Sequence, residues 1–313
     1  MDAFGAADLA RQMVERMLAL SCYRWEQSDE MRPAPFIWVK GHPKPIPLAE
    51  PPRGATVLAL THEGHFYRVD RPRSAVDDAL ELASPVNQGA LGPAIAGAWA
   101  AVESLLSDPD DPPDEERSGK AAAADRLAAI IACAWPRAEL TTLAYRHRPP
   151  TPDALAVALK GCETNIARAQ AVAKAIKHRT TVPHVGGFRI GRYSDLAAIE
   201  RMAGVLADPR RTLGAAARTF RVALRRLYRA RNIVLHGGST QGVAIAAALR
   251  IAAPLIGAGL DRITHAALTE GVDPLRLAAR AELALTLVDG ETGLSVVELL
   301  EPLHRPRAAA VAL

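Results

Sequence analysis

The chain has 313 residues, with 38 Lys and Arg against 34 Asp and Glu, a net charge of +4, and 49% hydrophobic but only 4% aromatic residues. Length and a mean hydropathy of +0.03 exclude a chain without a core, and the dominance of Ala and Leu favours helices over sheets. Three cysteines, Cys22, Cys133 and Cys162, with no CxxC spacing exclude a disulfide framework.

The opening twenty residues carry Asp2, Asp8, Arg11, Glu15 and Arg16, which interrupt any signal-peptide core. A cytoplasmic location and an amphipathic helix over about Ala6–Leu20 are therefore expected. Prolines 33, 35, 43, 45, 47, 51 and 52 then punctuate the chain. Short β-like runs at 36–39 and 56–60 lie beside them, so residues 1–84 are expected to form a small mixed α/β region.

From residue 85 to 313 the pattern is that of a mainly α bundle. Ile95, Trp99, Val102, Leu105 and Leu106 recur at helical steps. The acidic, Pro-containing tract 107–119 has no apolar anchor and reads as a solvated loop. Helices are expected over about 120–134, stopping before Pro136, and from a Thr151 cap with Pro152 to about His178. The glycines at 186, 187 and 191 mark a break and form no phosphate-binding loop. Ser194 begins a helix to about Leu206, a long helix runs from about Thr212 to His236, and a final pair covers about 243–267 and 274–287. The apolar stretch 242–260 contains Arg250 and Pro254, so a buried helix is expected there and no membrane span.

Charge is unevenly distributed. Between Asp208 and Asp261 there are nine arginines and no acidic residue. Removing those nine from +4 leaves −5 for the remainder, so a strongly basic segment on a mildly acidic protein points to a polyanionic partner, or reflects only an Ala- and Arg-rich composition. Within it, Phe220, Leu224, Leu227, Arg231 and Val234 fall on one helical face, which puts Arg231 inside the apolar stripe. There its guanidinium needs a partner or a task. Arg218, Arg221, Arg225 and Arg229 form a second stripe suited to phosphates. Asn232 is four residues before His236, close enough on a helix to orient the imidazole.

The string YRARNIVLHGG (228–238) resembles the Arg-Asn-x-x-x-His signature of HEPN domains, in particular the ApeA-like HEPN branch. AWAAVESLL (98–106) is similar to that branch's Trp-x-x-x-Glu helix, and SGKAAAADRLAAII (118–131) to the basic helix after it; the resemblance spans roughly 85–290. It implies a HEPN-type helical bundle and a metal-independent endoribonuclease, without cofactor, whose site forms between two protomers of a homodimer. On that reading His236 transfers protons, Arg231 holds phosphate, and Asn232 orients. Arg218, Arg221, Arg225, Tyr228 and Arg229 contact RNA. Glu103 pairs with or supports Arg231. A toxin or anti-phage role, with an antitoxin or activating partner protein, is likewise implied. Gly238 stands where the nucleotidyltransferase-paired HEPN subgroup has a tyrosine, so modification at that position is not expected.

Two other readings use the same residues. Arg231 and Glu103 form a purely structural ion pair with His236 as a helix cap, or the chain is a catalytically inactive HEPN-type module that binds RNA or protein. His62-Glu63-Gly64-His65 is one residue short of HExxH, and two histidines without a third ligand make no zinc site. Trp99, Trp135 and the cysteines read as core.

Overall fold

A computed structural model describes residues 2–21, 32–62, 64–65, 72–111, 119–178, 193–237, 242–289 and 293–301. The fold is mainly α, with one two-stranded antiparallel sheet near the N-terminus. Helix α1 (Ala3–Ser21) precedes strands β1 (Phe36–Ile37) and β2 (Ile46–Pro47), which pair Phe36 with Pro47 and Ile37 with Ile46. Arg11 ties α1 to this hairpin through the carbonyls of Pro47 and Leu48.

The 56–60 run, expected to be extended, instead enters a short helix, α2 (Leu58–His62). Its conformation is set by helix α11 (Val243–Leu268) beneath it. Asp261 Oδ1 accepts from the Ala59 amide at 2.8 Å, and a Cβ on Gly257 would lie 2.6 Å from the Thr56 nitrogen. Only glycine at 257 lets the backbones approach so closely.

Helix α3 (Ala75–Ala83) starts at a capping box of Ser74 and Asp77. It leads through α4 (Pro85–Gln88) into α5 (Leu91–Leu106), whose Ile95, Trp99, Val102, Leu105 and Leu106 are all buried. Val76, Ala79 and Ala83 of α3 join the same core.

At the centre stands α6 (Gly119–Arg146), packed by α5 and α11 and by the later helices α8 (Asn165–Lys177), α9 (Tyr193–Ala207), α10 (Pro209–Gly237) and α12 (Pro274–Leu287). It passes straight through Pro136 rather than stopping before it. An interior proline costs about 3 kcal/mol. Burial of Leu127, Ile130, Ile131, Leu140 and Leu143 on either side, at about 1.5–3 kcal/mol each, outweighs that penalty.

The helix expected over 152–178 is two helices. Asp153 caps α7 (Ala154–Lys160), which ends at Gly161, and Thr164 caps α8 (Asn165–Lys177). The Gly-Cys-Glu-Thr sequence at 161–164 supplies a stop and a start in succession. Helix α9 (Tyr193–Ala207) leads to α10 (Pro209–Gly237), then α11 and α12 (Pro274–Leu287). The glycine-bearing loop at 181–191 lies outside the described residues, as does all of the acidic tract between 112 and 118.

Contacts fix the helix directions. Arg126 of α6 reaches the Leu106 carbonyl, so the end of α5 lies beside the first turns of α6. Asp125 meets Arg225 while Trp135 meets Phe220, so α6 and α10 are antiparallel. The ends of α5 and α10 therefore lie with the starts of α6 and α11 at one pole of the bundle.

Candidate active site at the end of a basic helix

Helix α10 begins where Asp208 accepts from the Arg211 amide at 3.2 Å and Pro209 takes the first helical position. Over its 29 residues, Leu213, Ala217, Leu224, Leu227 and Ala230 are buried, and no residue from 231 to 237 is. Beyond Ala230 the helix climbs out of the core. Arg231 was expected inside the apolar stripe; it is only half-buried, as is Val234. From Asp125 to the start of α6 there are fewer residues than from Arg225 to the end of α10. At 1.5 Å per residue, α10 outruns its main neighbour and leaves its last turns partly uncovered.

On this emerging stretch Arg231 Nη1 donates to Asn232 Oδ1 at 3.1 Å. The Asn232 side chain is thus engaged by the arginine, not by the imidazole it was expected to orient. His236 is exposed in the last turn. Gly238 lies outside the described residues.

Glu103 sits four residues past Trp99 on α5, and Asn232 four past Tyr228 on α10. Those two rings touch, with centroids 4.8 Å apart. Among the described residues, Arg231 directs its hydrogen bond to Asn232 Oδ1. Tyr228, expected to contact RNA, is half-buried and tilted against Trp99.

The second arginine stripe divides. Arg221 and Arg225, expected on a solvated edge, converge on Asp125 of α6 at 3.1 and 2.8 Å, with Arg225 making a forked pair. They clamp two core helices together. Arg218 and Arg229 are exposed. The Asp125 clamp was missed because its signal is non-local: one carboxylate in an Ala-rich helix a hundred residues upstream.

A buried ionic cluster on α11 was missed as well. Arg262, only 4% exposed, pairs with Glu270 at 3.0 Å and donates to the Leu300 carbonyl at 3.2 Å, while His265 meets Glu270 at 3.1 Å. Burial lowers the affinity of Arg262 for its proton. Burial pushes the Glu270 carboxyl up, but the His265 hydrogen bond and the Arg262 charge prevail and hold it at about 2. Arg280 also donates to Leu300, and Arg137 pairs with Glu301, so the segment after α12 is pinned across the bundle. Its placement makes it structural.

The remaining signals lie apart from this pole's chemistry. His65 is buried with Nε2 3.1 Å from Thr269 Oγ1, and no group of three or more metal-ligating side chains occurs among the described residues. Burial pushes the Cys133 thiol up to about 12, as for an inert core thiol. By length and composition α6 and α11 are apolar enough to cross a membrane, and 61% and 44% of their apolar windows are buried within the fold.

The emerging end of α10 thus offers a tethered guanidinium, an amide and an exposed imidazole within six residues of helix. Such a set can bind an anion and exchange a proton with it. Set against protein-family models, characterised proteins and solved structures, the chain matches none.

Proposed function

We propose that this chain is a metal-independent endoribonuclease of the HEPN type. The observation that supports it is that the half-buried Arg231 and Asn232 and the exposed His236 stand together where α10 leaves the core, with the guanidinium already tethered to the neighbouring amide. RNA carries its own nucleophile. The 2′-oxygen attacks the adjacent phosphorus, the bond to the 5′-oxygen breaks, one proton leaves the 2′-hydroxyl for a base, and another reaches the departing 5′-oxygen from an acid. Imidazole is suited to both transfers near neutral pH. Arg231 binds the phosphate by forked hydrogen bonds and stabilises charge growing on its oxygens.

One motif brings one histidine, and in-line cleavage needs a base and an acid. A two-fold dimer that presents two copies of His236 to one cleft supplies both. Arg218 and Arg229 then draw the RNA backbone toward that cleft. A cytoplasmic toxin or anti-phage effector, held or released by a partner protein, is the role this activity suits.

A second reading, a catalytically silent module that binds RNA or protein, draws on the Asp125 clamp, which withdraws Arg221 and Arg225 from ligand contact, and on Asn232, which serves Arg231 rather than His236. The chemistry of the product ends tests the mechanism. Fragments with 2′,3′-cyclic phosphate and 5′-hydroxyl termini are expected, and 3′-hydroxyl ends would overturn it.

A further inference from the structure

Beside the candidate site, α10 and α11 run as an antiparallel pair, and a groove of 360 Å³ lies between them. Arg226, Ala230 and Ile233 form one wall, and Ala244, Ala248 and Ile251 the other. Each wall repeats the four-then-three spacing of a single helical face. The alanines leave room for close approach. Ile233 and Ile251 are 50% and 54% exposed, and Val222, one turn before Arg226, is 49% exposed and extends the apolar strip. Arg226 and Arg229 stand at the rim, and both are exposed.

Two parallel walls of helical spacing with a floor of small residues accept a third helix, as in helix-in-groove recognition. Charge specifies the occupant. Every charged side chain on the groove is arginine, and α10 and the first two-thirds of α11 carry no acidic residue at all. A second copy of this face, meeting it symmetrically, would set arginine against arginine. Single-stranded RNA is a poor fit for the floor, which has no aromatic ring for a base to stack on.

We infer that the α10–α11 groove is a docking site for an acidic amphipathic helix of a partner protein, its apolar face on Ile233 and Ile251 and its carboxylates on Arg226 and Arg229. This inference stands on the groove alone and does not require that the chain cleave RNA.

The test is a phage-displayed library of helical peptides about 18 residues long, roughly five turns, selected on the full chain. Selected sequences are expected to carry apolar residues at i, i+3 or i+4, and i+7, flanked by Asp or Glu. Kd for the best peptide should rise about tenfold or more in Arg226→Glu/Arg229→Glu. A peptide with its acids changed to Lys should regain binding to that variant, which also shows that the variant is folded. No enrichment, no acidic bias, or an unchanged Kd in the double variant would overturn the inference. So would a dimer of the chain that dissociates in the double variant, which would assign the groove to a second copy, or a single-stranded RNA that protects the groove while the selected peptide does not.

Discussion

The molecule holds arginines under two opposite regimes. On α11, Arg262 is sunk in the interior and compensated by Glu270 and by the Leu300 carbonyl. At the end of α10, Arg231 is half-exposed and held by a hydrogen bond that it donates to its neighbour's amide oxygen. A buried ion must be neutralised to persist at all, so its partners are spent on the fold. A cation at a surface pole, tethered on one side only, keeps donors for a ligand. The difference separates charges committed to the fold from charges open to a ligand, and each region predicts its own response to substitution.

The largest effect on stability is expected in the interior. Glu270→Ala leaves Arg262 buried without its carboxylate, and a loss of about 3–5 kcal/mol is expected, read as a shift in denaturant midpoint. A loss under 1 kcal/mol, on the scale of a surface pair, would mean that the cluster is solvated and that the contrast is wrong.

The pH dependence sharpens the same point. Glu270 is held at about 2, against an ordinary value of 4.5. Its folded-state pKa is depressed, so its contribution is complete above pH about 4.5 and is lost as pH falls toward about 2. Over that window the thermal midpoint of the wild-type chain should fall more steeply than that of Glu270→Gln. Parallel curves would place the acid sensitivity elsewhere.

Smaller again is the clamp between α6 and α10. Asp125→Ala removes the shared partner of Arg221 and Arg225, whose side chains are 38% and 39% exposed. A loss of about 1 kcal/mol is expected, consistent with a partly solvated network. The freed arginines should tighten non-specific RNA binding at low salt and steepen its salt dependence. RNA affinity equal to wild type would show that this face lies away from the nucleic acid.

How much of this was legible in the sequence depends on whether the signal was local. The last helix spans the expected 274–287, and Asp273 with Pro274 marks its start. The long basic helix was read to within three residues for similar reasons. Pro136 was read as a stop because the rule against interior proline is local, whereas the burial that overrides it comes from six neighbouring helices. The Asp125 clamp and the pinning of Leu300 join residues far apart in the chain, and neither spacing nor composition reports such contacts. At the site, the motif located Arg231, Asn232 and His236 on one exposed helix end. Periodicity placed Arg231 too deep because it assumes that the neighbouring helices run as long as α10. The groove beside the site was hidden for a related reason: its small residues read as core, and only the packing shows that no helix of the described chain fills it.

At the exposed pole, Arg231→Ala and His236→Ala should change stability by no more than about 0.5 kcal/mol. The most direct test of the account is cleavage of end-labelled single-stranded RNA and tRNA by the pure chain in EDTA, beside His236→Ala. The account predicts that wild-type cleavage survives chelation and that the variant, equally stable, loses it by at least about a hundredfold. Equal cleavage by both proteins, or none by the wild-type chain, would contradict it.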